Sequence, residues 1–192
     1  MTLEKRTLTS PVEVRKEADK RTVSGYAALF NSPAVIGGAF REVIAPGAFA
    51  NTIGGDIRAL VDHDTGRVIG RSTVGTLRLN EDEKGLAVEI DLPDTTDGRD
   101  LAVSLERGDI SGMSFAFSVN SGGDSWDDTG DLPTRTIHDM SITEVSAVAF
   151  PAYDDTSLAL RSLEASRKDI KLINRMGYHY RKAQLDQRTR GI

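Results

Sequence analysis

Ser114 lies in Ile110-Ser-Gly-Met-Ser-Phe-Ala-Phe-Ser-Val119, a run whose alternation sets Met113, Phe115, Phe117 and Val119 on one strand face and Ser114, Ala116 and Ser118 on the other. The large apolar side chains can anchor that strand in a core while the hydroxyl points away among small neighbours. Such a mount would fix a nucleophile and leave room for a peptide; a plain solvated serine would look the same. His63, in Leu60-Val-Asp-His-Asp-Thr-Gly66, stands at the end of an apolar run and before a turn. An imidazole there can take a serine proton and return it to a leaving amine. It can equally be a surface histidine flanked by Asp62 and Asp64. A third group must orient that ring, and the choice is between His138 and Glu144. They share parity on the expected strand Arg135–Phe150, but six residues of strand separate them by roughly 20 Å, so both cannot serve one imidazole. Glu144 sits in the more apolar half, where an unpaired carboxylate is costly. It needs a partner, either an imidazolium or an arginine.

Composition narrows the chemistry. There is no cysteine, which removes disulfides, thiolate zinc sites and cysteine nucleophiles together. Three histidines (His63, His138, His179) without an HExxH pair disfavour a zinc hydrolase, and no cofactor is expected. No stretch approaches the roughly 18 apolar residues of a membrane helix, and the charged start MTLEKRTLTSPVEVRKEADKRTV lacks the apolar middle of a secretory signal. A cytoplasmic protein with no membrane partner is expected. The net charge of −5 is uneven: residues 161–192 carry nine Lys/Arg against three Asp/Glu, which leaves the body at −11. An acidic body argues against general nucleic-acid binding, whereas the basic tail suits an acidic partner.

The elements that must position these residues are mostly short strands with period-two alternation, at Val12–Val14, Thr22–Leu29, Arg41–Ile44, Ile57–Val61, Gly75–Asn80, Gly85–Asp91, Ser111–Val119 and Arg135–Phe150. Without repeated strand-helix units, that count predicts a barrel or sandwich. The polar link Asn80–Gly85 predicts an antiparallel hairpin. One helix is predicted over Arg99–Arg107, capped by Thr96 or Asp97 and stopped by Gly108, and a second short one at Pro46–Thr52. Residues 120–133 read as a mobile loop. The main domain is expected to end near residue 160, followed by a helical or partly disordered basic tail, 161–192.

Five fragments in order resemble one family. Gly25-Tyr-Ala-Ala-Leu-Phe30, Glu42-Val-Ile-Ala-Pro-Gly-Ala-Phe49, Val61-Asp-His-Asp64 with Ile69-Gly-Arg71, Gly108-Asp-Ile-Ser-Gly-Met-Ser-Phe115, and Ile142-Thr-Glu-Val-Ser-Ala-Val-Ala-Phe-Pro-Ala152 are similar to the prohead (capsid maturation) proteases of tailed phages over about residues 20–160. The resemblance implies a fold like the herpesvirus capsid protease, mainly β, a closed antiparallel barrel with flanking helices. It implies a serine endopeptidase with Ser114 as nucleophile and His63 as base. The third member is expected to be Glu144, although the herpesvirus relatives use a second histidine, which keeps His138 as the alternative. Arg71 is a candidate oxyanion donor. The implied partners are the major capsid protein with its scaffold segment, and the chain itself through autocleavage, inside an assembling prohead in the host cytoplasm. A homo-oligomer is compatible with this reading. The competing reading is a non-catalytic barrel that binds scaffold during assembly.

Overall fold

The computed structural model describes residues 3–9, 12–17, 20–150, 163–164 and 168. The expected tail, 161–192, therefore lies outside the described residues except for Leu163, Glu164 and Lys168. In chain order the strands are β1 (Glu4–Thr9), β2 (Glu13–Glu17), β3 (Lys20–Leu29), β4 (Ala34–Ile36), β5 (Phe40–Ile44), β6 (Arg58–Val61), β7 (Asp64–Arg71), β8 (Leu77–Glu81) and β9 (Gly85–Asp91); after helix α1 (Thr96–Arg107) come β10 (Gly112–Val119), β11 (Asp124–Asp127), β12 (Thr134–Ile137) and β13 (Met140–Val148).

These strands form three open sheets, ordered β1-β10-β13-β6-β7, β11-β12-β5-β4 and β2-β3-β9-β8. The expected closed barrel ringed by helices is therefore wrong on both points. Each sheet ends in two edge strands, and α1 is the one α-helix described over its whole length, with Leu163, Glu164 and Lys168 also helical. One long strand was expected over 135–150, and two are found there. The chain bends at His138 and Asp139, whose amides both donate to the Gly123 carbonyl at 2.7 and 3.1 Å. Consequently β12 runs parallel to β5 in one sheet while β13 inserts between β10 and β6 in another. Gly123 permits this close approach, since a Cβ there would meet the Asp139 carbonyl oxygen at 2.2 Å. The second expected helix is a chain of turns, Ala48 to Ala45, Ala50 to Gly47 and Thr52 to Phe49, because Gly47 at φ 87° leaves the right-handed region.

One apolar core joins the three sheets. Met113, Phe115 and Phe117 of β10, Val145 and Ala147 of β13, Val88 and Ile90 of β9, and Leu101 and Leu105 of α1 all meet there, with Phe49 set edge-on to Phe115 at 5.9 Å. The helix begins where Thr95 accepts from the Gly98 amide, one residue before the predicted cap, and stops at left-handed Gly108 as expected. Because Gly85–Asp91 alternates Leu86, Val88 and Ile90 inward, β9 pairs with β8 antiparallel around the Asp82–Lys84 turn. The segment expected to be a mobile loop contains β11 instead. Its Trp126 packs edge-on against Phe40 at 5.0 Å and lies beneath the Arg135 guanidinium, so an aromatic anchor holds a polar stretch in register with β12. Leu163 is buried beside Ile36 and Phe40.

Candidate active site

Alternation on β13 sends Val145 and Ala147 to the core and Glu144 and Ser146 to the opposite face of the first sheet. Ser146 lies directly across from Ser114 on β10, and β1 flanks the other side with Thr7 opposite Ser114. On the far side β13 pairs with β6, whose hairpin to β7 turns on two residues, Asp62 and His63. Both have positive φ, 49° and 60°, the combination a tight primed turn demands. Aspartate and histidine tolerate that region better than most side chains.

The turn is fastened over the end of β13. Asp62 N–H donates to the Ala147 carbonyl at 2.9 Å, and Asp62 Oδ1 accepts from Ala149 N–H at 3.0 Å. The His63 amide donates to Ser146 Oγ at 3.2 Å. In consequence the imidazole meets Glu144, with Nδ1 to Oε1 at 2.5 Å, while Ser146 Oγ donates to the other carboxylate oxygen at 2.6 Å. Against an ionised carboxylate, which only accepts, Nδ1 would carry the proton and Nε2 of a neutral ring would present a lone pair. That Nε2 is buried and has no hydrogen-bond partner among the described residues. The arrangement can receive one proton at Nε2 and stabilise the resulting imidazolium through Glu144.

Ser114 is on the same face but not bonded to the ring. Its Oγ donates to the Arg6 carbonyl of β1 at 2.9 Å, and the residue has no exposed surface, in contrast to the open setting expected from sequence. The structure thus joins His63 to Glu144 and sets Ser114 one strand away, across the ladder from Ser146. His138 is elsewhere, exposed at the bend before β13, with Nε2 on Ser125 Oγ at 2.9 Å. Arg71, the candidate oxyanion donor, is held by Asp56 through two hydrogen bonds of 2.7 and 2.8 Å. Those bonds draw the Asp56 carboxyl down to about 2. His179 lies outside the described residues.

Sequence reasoning missed Ser146 and the anchoring role of Asp62. The signal for Ser146 was its parity with Glu144; for Asp62 it was adjacency to His63 in a two-residue link. Among the described residues no group of three or more His, Cys, Asp or Glu side chains is placed to hold a metal ion.

Comparison with known proteins adds three findings. A profile of the family described as caudovirus prohead serine protease matches residues 10–169. A prohead protease of Enterobacteria phage HK97 is 32% identical over 142 residues, covering 70% of this chain and 57% of that one, so the chain spans little more than half of that relative's length. The solved capsid assembly protease of bacteriophage T4 aligns with a TM-score of 0.53 at 12% identity, over 76% of this chain and 96% of the other, a likeness of fold.

Proposed function

Since the chain belongs to the caudovirus prohead serine protease family, we propose that it is a serine endopeptidase of prohead maturation, cutting scaffold segments from the major capsid protein and also cutting itself. Ser114 is the nucleophile, His63 the general base and Glu144 the group that orients and charges the imidazole. The observation that carries this reading is the His63 ring itself: Nδ1 is held by Glu144 and Nε2 is buried without a partner, on the sheet face that bears Ser114.

Ser114 Oγ must first leave the Arg6 carbonyl, and a change of staggered rotamer about its Cα–Cβ bond is the smallest motion that redirects it. The hydroxyl then attacks the scissile carbonyl as its proton passes to His63 Nε2. An Oγ–C bond forms, the imidazolium returns the proton to the leaving amine as the C–N bond breaks, and water hydrolyses the acyl-enzyme by the same exchange. Glu144, as a carboxylate facing Nδ1, favours the imidazolium. Within a prohead, shared confinement would raise the effective concentration of enzyme and substrate to about the millimolar range, so weak intrinsic binding suffices.

One observation favours the competing reading, a scaffold-binding module without catalysis: Ser114 is fully buried and its hydroxyl is already bonded to β1. Labelling with a serine-directed phosphonate followed by peptide mapping separates the two. Modification of the Ser114 peptide, lost in His63→Ala, is the expected result. No labelling of Ser114 in assembling proheads, together with normal capsid maturation by Ser114→Ala, would establish the binding module.

A further inference from the structure

We propose that Ser146 is a positioning residue of this site, coupling the Glu144 carboxylate to the backbone of the histidine it serves. The inference rests on the reading of His63 and Glu144 as base and orienting acid. A serine hydroxyl has one proton and two lone pairs. Here the proton goes to Glu144 Oε2 at 2.6 Å, and a lone pair accepts the His63 amide at 3.2 Å. Ser146 has no exposed surface.

The geometry gives each carboxylate oxygen its own donor among the described residues, Oε1 taking His63 Nδ1–H and Oε2 taking Ser146 O–H. A carboxylate held at both oxygens cannot swing about its terminal bond, whose torsion is otherwise broad. The same hydroxyl fixes the turn at the residue with φ 60°, so the imidazole and its acid are referenced to a single atom. Alanine keeps the Cβ and removes only the hydroxyl. Glu144 Oε2 then loses its donor and His63 N–H its acceptor, and both are free to drift. Displacements of about 1 Å at such a site cost on the order of 10²-fold in rate.

Two readouts test this. In wild-type protein the Nδ1–H proton shared with Glu144 is expected to give a far-downfield proton resonance; Ser146→Ala should shift it upfield or broaden it away, and Ser146→Thr, which keeps a hydroxyl, should retain it. Processing of co-assembled capsid precursor by Ser146→Ala should fall about 10²-fold. In the Glu144→Gln background the same substitution should add little, because the residue acts through Glu144. An unchanged resonance in Ser146→Ala, or losses that multiply in the double variant, would overturn the proposal. Should Ser146→Ala not fold, loss of the resonance in folded Ser146→Thr overturns it equally. The resonance does not depend on proteolysis, so a protein that gives the expected spectra but never cleaves precursor refutes the protease reading and leaves the role of Ser146 standing.

Discussion

Three buried carboxylates, Glu4, Glu42 and Glu144, are satisfied in two opposite ways. Glu4 of β1 and Glu42 of β5 meet Arg6 and Arg135: Arg6 bonds Glu42 at 2.6 Å and Glu4 at 2.7 Å, while Arg135 reaches Glu4 at 3.0 Å, Glu42 at 3.1 Å and Asp124 at 2.8 Å. Burial works against both guanidinium charges, yet the facing carboxylates outweigh it and both arginines are held above their ordinary pKa. The partners of Glu4 and Glu42 are arginines, which do not give up their charge, and the cluster serves to lock β1, β5, β11 and β12 together. Glu144 is buried as well, but its partners are a serine and a histidine. The imidazole can change charge, and one of its nitrogens is left over. A buried acid closed by arginines makes structure; the same acid closed by a titratable ring with a spare lone pair can make chemistry.

The sharpest way to break that contrast is to remove the spare lone pair or the hydroxyl it awaits. His63→Ala and Ser114→Ala should each abolish precursor processing, by about 10⁶-fold where residues act as a unit, and the double variant should be no worse. Full-length capsid precursor in stalled proheads is the measurement, and normal processing by either variant would sink the assignment. Next, Glu144→Gln should lower the rate by as much as about 10⁴-fold, since it disturbs the tautomer without removing the base. His138→Ala should leave the rate unchanged, and the reverse pattern would transfer the role to His138.

On the structural side, Arg135→Ala leaves Glu4 and Glu42 short of a buried counter-charge, which should lower the unfolding free energy by about 3–5 kcal/mol in urea titrations. A loss near that of a surface pair would show that the cluster is not the lock described above. The smallest effect is expected at a partly exposed pair. Hydrogen bonds from Arg78 hold the Asp91 carboxyl at about 2, below its ordinary value of 3.8, although burial opposes this. A depressed carboxyl contributes stability above about pH 4 that is lost as pH falls toward 2. Arg78→Met should therefore flatten the acid-side fall of the melting temperature, and its effect at pH 7 should not exceed about 1 kcal/mol.

Much of this was legible in local pattern. The strand faces of β9 and β10 follow from alternation, and α1 from its cap and Gly108. The family fragments were visible around His63, Ser114 and Glu144, and residues 10–169 match the family. What local pattern could not supply was pairing. Strands β1 and β7 went unread because their sequences, Glu4–Thr9 and Asp64–Arg71, are charged or turn-like; β1 pairs with β10 and β7 with β6 as sheet edges. The continuous strand expected over 135–150 broke because Gly123, fifteen residues before His138, supplies the carbonyl that bends it.

By itself, then, the sequence determined which side chains share a strand face, because parity along a strand is a property of neighbouring residues. It could not determine that Ser146 would stand across from Ser114, that Arg6 would present its carbonyl to that hydroxyl, or that Glu42 and not Glu144 would receive the arginines. Those are register and sheet-order facts, set by contacts between residues dozens of positions apart, and a shift of one residue would have exchanged every face.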